Sequence, residues 1–376
     1  MRTQWIIGMC MGALLACSDN GSGESGATST GGSGGSAGSG GSAGSAGSGG
    51  GSSVGSGGSG AGGSGGEASC TLTDSGPITT GMDGQVIENL RIVSTSGPAI
   101  KVDGHAKVVI RNVQILHEDG PGIAITGGSD DILIEDVSIE HTGAPDAGKN
   151  PSAELNNIQC YGSSHPTIRR ARLSRGSSGV YLVECPSSEL SFLEGHDFRG
   201  PFPRGQLVQW DKSSDGVLED FSVINPAGSW PEDNVNVYQS TNVEIRRGFI
   251  DGNNSPSGIG VIFDGGFSTG LVEDVDAVHM GNGCFSDYAG GPGVIFRRTR
   301  CRDNICTDQG RGLPSSNALM WCGNTMHSNL RIEESTYFNA CNPGNIVWPA
   351  NSFEAVELND AAFTPRAPIE LDFCWE

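Results

Sequence analysis

Between residues 87 and 335 one short phrase recurs ten times: an apolar residue, a charged residue, a polar or small residue, then often another apolar one. It begins at Ile87, Ile110, Ile134, Ile168, Leu193, Leu218, Ile245, Val272, Phe296 and Ile332, at intervals of 23, 24, 34, 25, 25, 27, 27, 24 and 36 residues. A period in the twenties, with Gly, Ser, Asn and Pro between the phrases, predicts a solenoid whose stacked repeats share one core. Segments such as Val108 to Ile115 alternate with period two and are rich in Val and Ile, so the repeat is strand-like. Coils of about 24 residues carrying two or three strands each give an all-β parallel β-helix of about ten to twelve coils, paired through parallel ladders.

The charged residues of the phrase are Glu88, Arg111, Glu135, Arg169, Glu194, Glu219, Arg246, Glu273, Arg297 and Glu333. Coils stacked in register would line them up as one outer column with signs alternating almost throughout. Opposite charges on neighbouring strands stabilise, so the column is read as structural.

The chain divides into three segments. Residues 1–16 have the form of a lipoprotein-type signal peptide: Arg2 is the positive n-region, and Trp5 to Leu15 is apolar but too short for a permanent span. Leu14-Leu15-Ala16-Cys17 resembles a bacterial lipobox, which makes Cys17 the expected lipidation site. Residues 17–66 are almost entirely Gly, Ser and Ala after the first few positions, and such a segment behaves as a flexible tether. Residues 67–376 form the repeat domain. The expected location is the outer membrane or cell surface of a Gram-negative bacterium, or alternatively the medium after secretion.

A net charge of −21, from 43 acidic and 22 basic residues, argues against nucleic acid as a partner and against membrane contact beyond the lipid anchor. A monomer is expected. Export makes disulfides the default use of the cysteines, and Cys160 and Cys185 each end an apolar strand on adjacent coils, within reach of a bridge.

Aligning the last strand of each coil gives a grid. Its rows are 179–185, 205–211, 233–239, 258–264, 281–287, 316–322 and 344–348. One column holds Gln206, Asn234, Asn282, Asn317 and Asn345, read as a structural amide ladder. Another aligns the aromatics Trp210, Tyr238, Phe263 and Trp321, which on a solvent-facing groove would stack on sugar rings, with Asn236 beside them. A register slip of one residue would make the same aromatics core.

The next column carries Asp211, Asp264 and Asp287. Asp264 and Asp287 would sit one coil apart, a spacing suited to glycoside hydrolysis by an acid and a base or nucleophile, with Asp211 in support. The same two carboxylates also suit Ca²⁺, the one cofactor the pattern suggests. The alternative reading is that Asp simply terminates strands well.

The block His196 to Lys212 breaks the repeat with two prolines and enters directly into this acidic row. It would bring His196, Arg199, Arg204 and Lys212 beside Asp211, cationic groups for a carboxylate-bearing sugar. Arg204 or Lys212, with a lowered pKa, could then serve as the base of a β-elimination. The alternative is a rigid loop with exposed charges.

With these residues the chain resembles the right-handed parallel β-helix repeat proteins of the pectin-lyase-like superfamily, over roughly residues 80 to 360. The resemblance implies extracellular polysaccharide lyases, hydrolases and epimerases, alongside non-catalytic adhesins and tailspikes. The pectin hydrolases of that fold carry Asn-Thr-Asp, Asp-Asp, Gly-His-Gly and Arg-Ile-Lys. Here the first three places hold Glu232-Asp233-Asn234, Asp251-Gly252-Asn253-Asn254 and Met280-Gly281-Asn282-Gly283, and the fourth has no counterpart. Their catalytic set therefore does not carry over. The expectation is a surface-tethered polysaccharide-binding protein that cleaves or modifies its glycan as a hydrolase, lyase or epimerase. The rival is a non-catalytic glycan-binding or adhesion protein.

Overall fold

The computed structural model describes residues 71–376 apart from 147–152, 201–203, 227–228, 230–231, 254–257, 289–292, 304–318, 324–328, 339–345 and 349. The signal peptide, Cys17 and the tether lie outside the described residues, as do Asn317 and Asn345 of the amide row. Cys70–Glu376 is one compact unit.

Two parallel ladders run along this unit, one of 13 strands and one of 11. The short strands include Ile100–Asp103, Ile123–Thr126, Ile158–Tyr161, Val180–Val183, Val208–Asp211, Val235–Tyr238, Ile259–Asp264, Gly283–Asp287 and Leu319–Gly323. The long strands include Val86–Ser96, Val109–Asp119, Leu133–His141, Thr167–Ser174, Glu189–His196, Val217–Ile224, Val243–Asn253, Gly270–Met280 and Leu330–Phe338. Every pairing is parallel to the strand one coil away, so the chain is an all-β right-handed parallel β-helix with one continuous apolar core.

The repeated phrase turns out to be a corner. Its third residue adopts left-handed φ in every coil: Asn89, Asn112, Asp136, Arg170, Phe192, Asp220, Arg247, Asp274, Arg298 and Glu334, with φ from 48° to 58°. That bend explains why apolar residues three apart, such as Ile110 and Val113, both point inward within a nominal strand. Asn and Asp, which tolerate this region best, fill half of the ten places.

In the fifth coil the phrase is set three residues too late by sequence. The partner of Ile168 and Leu218 is Leu190, not Leu193. Ser191 therefore takes the charge-column place expected for Glu194, which instead stacks beside Arg172 and Ser222. The other members do align, and Glu88–Arg111 (2.6 Å), Glu135–Arg169 and Arg297–Glu333 (2.8 Å) form ion pairs. The Cys160–Cys185 bridge is present, and Cys284–Cys301 forms a second. Disulfides of this kind are consistent with export.

After the last coil the chain doubles back over the outer face of the long-strand sheet. Arg302 reaches Phe363 O (2.6 Å), Arg366 N donates to Asp276 (2.6 Å), Ile369 N to Ser222 Oγ (3.2 Å) and Leu371 N to Glu194 (2.9 Å). Arg172 then lies 5.0 Å over the Phe373 ring. Each step along this strap meets an earlier coil.

Candidate functional site

The site is built on the outer face of the short-strand sheet, from Val180–Val183 to Ile259–Asp264. Alternation along a strand sends neighbours to opposite sides, so the register decides which residues can meet a ligand. Val208 pairs with Val235 and Val235 with Val261, which aligns Trp210 with Val237, Phe263 and Asp287. This column points inward. Trp210, Phe263 and Trp321 are fully buried, and the Trp210 indole donates to Ser188 Oγ at 2.8 Å inside the core. Three of the four aromatics expected to stack on sugars, Trp210, Phe263 and Trp321, are thus core residues. Trp210 and Phe263 do share a column, as aligned, but alternation turns that column inward.

The same register separates the expected carboxylate pair. Asp264 pairs with Tyr238 and lies on the outer face, whereas Asp287 pairs with Phe263 and is buried on the inner one. The two are on opposite sides of one sheet, so they neither act on one sugar nor share a Ca²⁺. Among the described residues the group of three with ligand atoms within 4.8 Å of one another is Asp130, Asp131 and His165. It lies elsewhere, and its His165 Nδ1 is already engaged by Asp130 at 2.8 Å.

His196 belongs to the other sheet. It bonds Glu194 (2.8 Å) and stands beside Ser174 and Ile224, away from Asp211. The amide row also divides: Asn234 accepts from Asn225 (2.7 Å), and Gln206 accepts from Ser178 (3.0 Å).

What the outer face does bring together is Asp211, Tyr238 and Asp264 in one column, with Tyr181, Gln209 and Asn236 in the column beside it. Strands stepping about 4.8 Å set Asp211 and Asp264 about 10 Å apart. Gly265 has φ +76°, and a Cβ there would meet the Tyr238 ring at 2.6 Å, so glycine lets the ring lie flat against the turn after Asp264.

Arg204 crosses this face. Its terminal nitrogens donate to Gln209 Oε1 (2.9 Å) and Tyr181 OH (3.2 Å), and its plane lies 4.6 Å over the Tyr181 ring. Its Nε lies 2.9 Å from Glu154 as an ion pair whose N–H points off the hydrogen-bond line. Burial alone would lower the guanidinium pKa, but Tyr181 and Glu154 hold it above its ordinary value. That is the opposite of what a proton-abstracting base requires. Lys212 is exposed beside Asp211, in a left-handed turn with φ 51°.

Glu232 and Asp233, which sequence reasoning compared with a family motif but did not place in the site, join it. Asp233 is buried and receives Asn236 Nδ2 and Ile259 N, each at 2.9 Å. Burial pushes Glu232 and Asp233 well above the usual carboxylate range, and the neighbouring charge of Asp264 adds to both. Burial also raises Asp264. Asp211 is raised by burial too, against the pull of Lys212 and Arg204. Two buried acceptors here, Asp211 Oδ1 and Asn236 Oδ1, have no hydrogen-bond donor. Desolvated carboxyls beside unpaired acceptors are groups able to donate or accept a proton at a bound hydroxyl-rich ligand.

Residues 75–194 match the family described as "Right handed beta helix region". Among curated proteins, none matches this chain in sequence. Similar solved structures include pectate lyase Pel9A, at 11% identity over 72% of this chain and 73% of that one, TM-score 0.42. The tailspike protein gp49 from Pseudomonas phage LKA1 is similar at 10% identity over 76% of this chain and 47% of its own, TM-score 0.44. An endo-xylogalacturonan hydrolase from Aspergillus tubingensis follows at 10% identity over 73% and 68%, TM-score 0.33. The matched region is continued by in-register parallel ladders to the last coils, so the fold is a right-handed parallel β-helix throughout the described residues.

Proposed function

We propose that this protein is an exported glycan-binding β-helix that hydrolyses its polysaccharide at the outer face between Val180–Val183 and Ile259–Asp264. The observation that carries the reading is the pair of buried, donorless acceptors, Asp211 Oδ1 and Asn236 Oδ1, set among carboxyls with raised pKa values. Sugar hydroxyls supply the missing donors. Glu232, kept protonated by its desolvated setting, gives its proton to the leaving oxygen as the glycosidic C–O bond breaks. Asp211 or Asp264 takes the proton of the water that attacks the anomeric carbon. The Gly/Ser-rich segment would hold this domain at the cell surface through Cys17.

The test is release of reducing ends from a polysaccharide panel by the full chain, alongside Asp264→Asn and Glu232→Gln. Each substitution is expected to lower turnover by about 10²-fold or more while leaving the fold intact. Unchanged turnover in both variants would remove the catalytic assignment. Retained glycan affinity without turnover in the unaltered protein would leave a binding protein, the alternative raised by the repeat architecture.

A further inference from the structure

The glycan reading of this face leaves the sugar unspecified, and the charges around it narrow the choice. Six carboxyls surround the site: Glu154, Glu184, Asp211, Glu232, Asp233 and Asp264 influence the same cluster of groups. Among the described residues two cations answer them. Arg204 is ion-paired to Glu154, donates to Gln209 and Tyr181, and lies stacked on the Tyr181 ring. Lys212 sits out in solvent beside Asp211.

An independent observation points the same way. Asn236 is only 4% exposed, its amide nitrogen is spent on Asp233, and its oxygen has no donor. With Asp211 Oδ1 it makes two acceptors that need hydrogens from a ligand. A sugar hydroxyl donates, whereas a carboxylate can only accept, so the charged group of a uronate has no place against these two atoms. An anionic sugar would also set its charge beside the carboxylates that stay ionised here, the exposed Glu154 and Glu184 and the proton-accepting Asp211 or Asp264, a juxtaposition that costs affinity steeply.

We propose, on the basis of the glycan reading above, that the site takes an uncharged polysaccharide of hexose or pentose units and excludes uronate-bearing chains. Arg204 then acts as a positioning residue that props Tyr181 and Gln209 rather than as a carboxylate anchor.

The experiment is affinity electrophoresis of the full chain in laminarin, xylan and dextran against polygalacturonate and alginate, each with Ca²⁺ and with chelator. At least one neutral polymer is expected to bind about tenfold or more tighter than either uronate, with or without Ca²⁺. Asp211→Asn is expected to weaken that binding about fivefold or more. Glu154→Gln, at an exposed position that leaves the fold undisturbed, frees Arg204 and should raise uronate affinity severalfold. Uronate binding as tight as neutral binding, and sensitive to Asp211→Asn, would overturn the substrate class while keeping the site. Absence of binding to every polymer, or neutral binding indifferent to Asp211→Asn, would overturn the site itself and this inference with it.

Discussion

Cys374 Sγ lies 3.7 Å from Asn112 Oδ1, although 262 positions separate them in the chain. The strap that ends here has crossed the coils in reverse order, and Cys374 is itself disulfide-bonded. Several of its hydrogen bonds go to one outward column of the long strands, the column that holds Arg172, Glu194, Ser222 and Asp276. The strap thus covers polar groups that a bare solenoid would leave to water.

Arg172 is where the strap is held most firmly. It pairs with Glu194 at 3.1 Å, bonds Leu371 O and stacks over Phe373. Arg172→Ala leaves Glu194, whose side chain is 9% exposed, with a poorly compensated charge. The expected loss is about 3 kcal/mol, read as a lower urea midpoint. A shift below about 0.5 kcal/mol would mean the strap is not fastened there.

Acid should loosen the early coils through a stacked histidine pair. The His117 and His141 rings lie 4.8 Å apart and nearly parallel. Nδ1 of His117 donates to Gly120 O (2.7 Å), and its Nε2 accepts from Asn157 (3.2 Å), which fixes a neutral ring. Burial, with the neighbouring His141, lowers the His117 pKa to about 4. The unfolded chain binds this proton near pH 6.5, so between 6.5 and 4 it holds more protons than the fold. Stability is therefore complete above about pH 6.5 and falls on acidification, by about 3 kcal/mol at pH 4. Urea midpoints across that range check it. A flat profile, or one unchanged in His117→Gln, contradicts it.

Trp210→Ala should separate core from site. Removing an indole that is fully buried costs about 3–5 kcal/mol through lost packing. In the fraction that still folds, glycan affinity should stay within about twofold of the unaltered protein, because the ring does not reach the outer face. A selective loss of affinity at unchanged stability would put the tryptophan back in the binding groove.

Gly265→Ala places a methyl where φ is +76° and the Tyr238 ring is 2.6 Å away. The backbone cost is about 1–2 kcal/mol, and the ring must move from its place between Asp211 and Asp264. A stability loss accompanied by weaker glycan binding is expected. Unaltered binding would show that Tyr238 is not part of the site.

The solenoid was legible because alternation and the phrase recur in nearly every coil. The Cys160–Cys185 bridge was legible because both residues end strands one coil apart. The corner was only half marked, since Asn or Asp stands at five of the ten third places while Phe192 or Arg170 gives no sign of a left-handed residue. Alternation fixes a face only relative to its own strand. Between Ile168 and Leu218 the steps are uneven, which allowed the phrase to be read at Leu193 rather than Leu190. One residue of slip in its row put Asp287 opposite Asp264 instead of Phe263, and the choice of which columns face inward put Trp210 on the wrong side. The strap had no repeat to announce it, because its partners are single side chains on many coils.

The most direct measurement is a structure of the protein with an oligosaccharide cut from whichever polymer it binds. The sugar is predicted on the outer face of the short strands, with hydroxyls within hydrogen-bond distance of Asp211 Oδ1 and Asn236 Oδ1. Sugar seated elsewhere, for instance in the charged cleft of about 370 Å³ lined by Asp274, Asp276, Arg298, Arg300, Glu334 and Arg366, would contradict it.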